Sequence, residues 1–313
     1  MMMMLLSVLL WILGRIRILD NGKNMIRVLS VLIVLPLFAF SGLAQNIVNA
    51  GSAGGCIPVR QLSEENLAFQ SGERLRFTMH YEWGTLDSDV GWANVGLDTV
   101  RFNGEKAFHC SAYGRTTKLY DIFFKVREDF QSWFAVDGLR PLKFTRNTHE
   151  GKYEARNEYS YMWNAADSIH IAADVFTTTS GHRHVTMPLD KCTFDLPALF
   201  FFARNMDFSK VEPNVKYPMT FAIDDDIYNV YFILRGREVK KVKGFGTVRT
   251  IKFSAKLLTG NVFTGDEDLS VWISDDENRI PVLFEAPILV GVASGRIDSY
   301  SGLKHPFSSL VKK

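Results

Sequence analysis

His182-Arg183-His184 puts two imidazoles on one face of an extended strand, two residues apart. Such a pair can ligate zinc or copper, but a site needs three or four ligands. No carboxylate or thiol is tied to this pair by spacing, so it reads as an exposed strand edge and no metal is expected. His149-Glu150 brings a base and an acid together before Gly151, but without the helical HExxH context of a zinc motif. Asp224-Asp225-Asp226 and Asp275-Asp276-Glu277 lack the alternating ligands, glycine and distal glutamate of a calcium loop. They read as solvated turns. Gly244-Phe245-Gly246 does not lead a strand into a helix, and no serine sits in a G-x-S-x-G elbow. No catalytic constellation and no cofactor is indicated.

Aromatic residues are the remaining candidates. Trp83, Trp92, Trp133 and Trp272, with Phe200 in a Phe-rich segment, have the chemistry to line a pocket for an acyl chain or another apolar ligand. Filling a core is the plainer use of the same residues. Cys110 lies in a strand-like run and reads as a buried free thiol. Cys56 and Cys192 flank the first half of the chain and are a candidate disulfide. That bridge would stabilise by up to about 4–5 kcal/mol in the chain-entropy model.

The elements that must position these groups are strands. The stretch 267–284, EDLSVWISDDENRIPVLF, alternates as a half-buried strand, breaks at a polar turn and returns at Pro281. A second copy, EDFQSWFAVDGLRPLKF, spans 128–144. Glu128, Asp129, Trp133, Asp137, Pro141 and Phe144 correspond to Glu267, Asp268, Trp272, Asp276, Pro281 and Phe284. The duplication predicts two related halves. About a dozen strand candidates at 8–15-residue spacing, with Asn103-Gly104 as a hairpin turn, predict antiparallel β structure. One helix is expected near 196–205: Asp195 suits the N-cap, Pro197 the first turn, and Leu196, Leu199, Phe200 and Ala203 share a face. Gly291, Ala293 and Gly295 leave room for a close neighbour on the last strand, with the helix near Phe200 as a candidate.

The fold expected is all-β and mainly antiparallel: a large curved sheet, half-barrel or barrel-like, with one buried helix. The chain divides as follows: 1–44 a targeting segment, 45–65 a flexible leader, 66–190 the first β half, 191–210 helix and crossover, 211–300 the second half, 301–313 a tail. Arg27, the apolar run Val28 to Phe40 and Gly42-Leu43-Ala44 form a secretion signal starting at Met25. Cleavage is expected after Ala44, with Ala50 the fallback. Met1 to Leu13 is a second apolar stretch; Met25 as the true start and a membrane-retained amino terminus are the two readings. Removing 1–44 deletes four basic residues and one acidic one, leaving a near-neutral chain. That excludes the electrostatic footprint of a nucleic-acid binder. Export places the protein in the periplasm or at the outer-membrane periphery of a Gram-negative cell.

The run VWISDDENRIPVLFEAPILVGVASGRID, the hairpin EDFQSWFAVDGLRPLKF with HEGKY, and SGERLRF resemble the exported Gram-negative family called domain of unknown function 3108. The resemblance covers roughly 56–300 and implies a β-rich, exported protein with no established activity. A Trp-bearing strand, an acidic turn and a Pro-led return strand are also similar, more distantly, to half-barrel lipoprotein carriers of the periplasm. The function expected is a non-enzymatic binder or carrier of an apolar or amphipathic ligand such as a lipid. The alternatives are a scaffolding module that binds another envelope protein and, less favoured, a hydrolase with an unrecognised site.

Overall fold

The computed structural model describes residues 56–166, 168–256, 269–287 and 291–312. The targeting segment expected over 1–44 lies outside them.

Alternation of apolar and polar residues dictates strands along almost the whole chain. Val126, Glu128, Phe130, Ser132 and Phe134 point inward and their neighbours outward, the period of a sheet with one covered face. Eight such strands run as an antiparallel meander: β1 (Arg74–Trp83), β2 (Leu86–Phe102), β3 (Glu105–Thr116), β4 (Val126–Ala135), β5 (Pro141–Glu150), β6 (Tyr153–Met162), β7 (His170–Thr177) and β8 (Gly181–Pro188). A short helix, α1 (Lys118–Asp121), joins β3 to β4. After the two-residue β9 (Thr193–Phe194) comes helix α2 (Leu196–Ala203). The second meander is β10 (Lys216–Ile223), β11 (Asp226–Val242), β12 (Gly246–Lys256), β13 (Leu269–Ser274), β14 (Pro281–Pro287) and β15 (Val292–Ser301), with β16 (Leu310–Lys312) added beside β12.

Strands β1 and β15 pair, so both meanders form one sheet in the order β8 to β1, then β15 to β9. All of its pairings are antiparallel except the two-residue β9–β10 contact. The protein is all-β, with a large curved sheet and a helix in its concavity.

The two halves are copies of one unit. Counting from the duplicated hairpin, β1–β6 correspond to β10–β15. Both β2 and β11 have 17 residues. The β4–β5 register slips between Trp133 and Phe134, and the β13–β14 register slips between Trp272 and Ile273, the matching place. Two residues before each return-strand proline, Leu139 (φ 53°) and Arg279 (φ 49°) both take the left-handed conformation. A non-glycine residue rarely does so, so the shared strain marks a shared turn. Glu267 and Asp268, the start of the second copy, lie outside the described residues.

The helix is buried because nearly every side is apolar. Leu196, Ala198, Leu199, Phe201 and Phe202 are covered. Phe201 meets Phe69 at 4.7 Å and Phe134 at 5.8 Å between ring centres. Asp195 caps it, accepting the Ala198 amide at 2.8 Å.

Three expectations need correction. The described part of the leader is docked rather than flexible. Cys56 is bonded to Cys192, Ile57 is buried, and the Arg60 amide donates to the Asn205 carbonyl. The residues after Tyr300 are held rather than loose. Lys304 Nζ donates to the carbonyls of Glu64, Glu65 and Leu67, and Phe307 packs on Tyr300 and Phe245. Finally, the element that closes on Gly295 is the Phe284 ring, not the helix; an added Cβ would sit 2.0 Å from it.

Candidate functional site

Helix α2 does not fill the concavity. Between it and strands of both halves of the sheet lies a cavity of about 150 Å³. Leu199 and Phe200 form the helix wall, and Ala112, Phe253, Val271 and Phe284 belong to the sheet wall. Phe200, Met219 and Val271 keep part of their surface exposed, so the cavity reaches solvent. The volume equals that of a dry apolar cavity able to take one benzene-sized group, and is below the usual range for a drug-sized ligand.

Two arginines border it. Arg204 is satisfied: its guanidinium grips Glu73 at 2.5 and 2.9 Å, and both residues are buried. Arg279 differs. It is 5% exposed, donates to the Met206 carbonyl and lies 4.6 Å from the Phe208 ring centre. No carboxylate among the described residues forms an ion pair with it. Burial, and then repulsion from Arg60, lower its pKa to about 10. The Glu277, Asp207 and Asp275 carboxylates favour its charge without bonding it directly, and a guanidinium so placed at the rim of an apolar space is suited to an anionic group.

Asp195 and Cys110 are buried close by. Burial pushes the Asp195 carboxyl up to about 7, against the hydrogen bonds it accepts from Ala198, Ser132 and Tyr161. Cys110 lines the cavity and is fully covered; desolvation raises the thiol pKa far above its ordinary value, which disfavours the thiolate.

Of the aromatic candidates, only Phe200 lines this cavity. Trp92 and Trp133 alternate with inward residues and lie on the outer face; Trp272 does not line the cavity either but is buried, 2% exposed, with its indole N–H donating to Glu238; Trp83 is exposed at the β1–β2 hairpin. Their rings are used as supports. Arg76 covers Trp92 at 4.9 Å, and His109 stacks on Trp133 at 4.5 Å from the strand opposite. Lys252, at the corresponding place, lies 4.9 Å from the Trp272 ring centre, and Lys240 covers that ring at 3.9 Å. The two tryptophans therefore occupy equivalent positions with different cover. Spacing could not show which face they take; the register slip beside each one is a non-local property.

The acidic turns are not simply solvated. Asp224 enters the interior of the first half, where it accepts from Arg146 at 2.7 Å and Asn157 at 3.0 Å, and its carbonyl accepts from Tyr159 at 2.6 Å. Burial disfavours the Arg146 charge, but the Asp224 and Glu128 carboxylates hold its pKa above the ordinary value. Beside it, Asp225 pairs with Arg183 of β8 at 2.6 Å. Asp276 anchors the chain's end by accepting from Ser309 at 2.8 Å. His149 and Glu150 point to opposite faces of β5, with Glu150 buried, so they do not form an acid–base pair.

These features define a class: a curled antiparallel sheet built from a duplicated six-strand unit, with one helix in its concavity and an apolar cavity beside that helix. Residues 76–298 match the family described as protein of unknown function (DUF3108), and the chain belongs to that family. Among solved structures it is similar to the crystal structure of a β-barrel-like protein of domain of unknown function DUF1849 from Brucella abortus. The identity is 10% and the TM-score 0.47, with 75% of this chain and 100% of that chain covered. No curated protein matches.

Proposed function

We propose that the protein is a non-enzymatic binder of an amphipathic anion in the cell envelope. The ligand's apolar part enters the cavity between α2 and the sheet, and its acid group lies against Arg279. The observation that carries this reading is a buried arginine on the edge of an apolar cavity, with no carboxylate among the described residues at ion-pair distance. The cavity volume limits what enters without rearrangement to a ring or a short alkyl segment. A full acyl chain requires α2 or the sheet to give way.

Fluorescence titration with 1-anilinonaphthalene-8-sulfonate, followed by displacement with fatty acids of graded length, tests it. Saturable binding is expected, lost when Val271→Trp fills the mouth and weakened by Arg279→Gln. Equal binding by wild type and both folded variants overturns it.

A second reading, docking to another envelope protein, draws on one observation. Leu119, Ile122 and Phe123 in and after α1 are 63%, 77% and 78% exposed. Cross-linking in cells, compared between wild type and the Ile122→Ser/Phe123→Ser variant, separates the readings: a partner lost only in the variant favours docking.

A further inference from the structure

The strand register supplies what spacing along the chain does not. Asp174 of β7 stands directly opposite His184 of the edge strand β8 and diagonal to His182. Its two carboxylate oxygens point at different imidazoles. Oδ2 is 3.3 Å from His184 Nδ1, and Oδ1 contacts His182 Nε2. The ligand-capable atoms of all three residues lie within 4.8 Å of one another. The side chains are exposed on the outer face, 48% to 77% accessible, so small rotations can bring them to metal distance. Zinc–imidazole bonds are about 2.0–2.1 Å long.

The strand that carries the histidines is also fixed. Arg183 projects to the other face between them and is tied to Asp225 at 2.6 Å. The backbone holding both imidazoles is thus anchored by a contact that does not involve them.

We propose that Asp174, His182 and His184 bind one divalent transition-metal ion of the zinc or copper(II) type. Two imidazole nitrogens and one carboxylate oxygen would coordinate it, and water would complete the shell. Two nitrogen donors with one oxygen suit these metals; magnesium and calcium prefer all-oxygen sites. A lone surface ion pair would need one imidazole, whereas here both converge on the same carboxylate. The site is on the outer face, away from the apolar cavity, so it stands independently of the ligand-binding reading.

The test is calorimetric titration of the full chain, purified without a histidine tag, with zinc chloride and copper(II) chloride, and with magnesium chloride as control. One ion per chain is expected, with no saturable magnesium uptake. His182→Ala, His184→Ala and Asp174→Asn should each weaken binding roughly tenfold or more, with unchanged far-ultraviolet circular dichroism. Electron paramagnetic resonance of the copper-loaded wild type should show coupling to two imidazole nitrogens. Absence of saturable zinc and copper uptake, or undiminished affinity in a folded His182→Ala/His184→Ala variant, overturns the proposal.

Discussion

Asp224 and Arg146 are 78 residues apart in the chain and 2.7 Å apart in space. Asp224 is the tip of the β10–β11 hairpin, and Arg146 is wholly covered inside the first half. The contact joins one region of the curled sheet to another without any strand pairing. Breaking a buried pair costs about 3–5 kcal/mol when the remaining charge is left uncompensated. Glu128 and Glu150 still favour the Arg146 charge, so Asp224→Asn should lower the unfolding free energy in urea by less than that, about 1–3 kcal/mol. Asp225→Asn, whose pair with Arg183 is more exposed, should change it by less than about 1 kcal/mol. Equal small effects from both would show that the tip does not fasten the fold.

Asp195 should make stability depend on pH in an unusual direction for a carboxyl. Its folded pKa, near 7, is above the ordinary value of 3.8. In the unfolded chain the group ionises first. Its contribution to stability is therefore full below pH 4, declines as pH rises, and is lost once pH passes about 7. The whole effect is on the order of 4 kcal/mol. Asp195→Asn, which retains a side-chain oxygen for the helix cap, should flatten the difference between urea curves taken at pH 4.5 and pH 7.5. An unchanged difference would place the pH dependence elsewhere.

Gly295 is required for its lack of a side chain. An alanine Cβ there would sit 2.0 Å from the buried Phe284 ring. Overpacking of this kind costs about 1–3 kcal/mol. Gly295→Ala should lower the thermal midpoint, and adding Phe284→Leu should recover part of the loss. An additive double variant would refute the contact as the cause.

What could be read from the sequence was local. The alternation along β4, the duplicated Trp–turn–Pro hairpin and the capped Phe-rich helix each carry their signal within a few residues. What could not be read depended on register and closure. Asp174 becomes a neighbour of His182 and His184 only because β7 and β8 pair in one particular alignment, and a slip of one residue would turn it to the other face. Asp224 looked solvated because the arginine it meets lies in the other half. The matching register slips beside Trp133 and Trp272 depend on how each strand pairs with its return strand, which the two matching peptides share but do not announce. Arg279 stood unremarked within the repeated hairpin, since nothing in its neighbours shows that it borders an apolar space.

Among the described residues, no backbone ladder joins β8 to β9, the two borders of the sheet. In a cylinder laced all the way round, access to the lumen would mean unzipping amide bonds along an entire seam. This wall instead has a clasp, fastened by carboxylates and guanidinium groups at the tip of one hairpin. Unfastening it leaves every rung of the ladder intact.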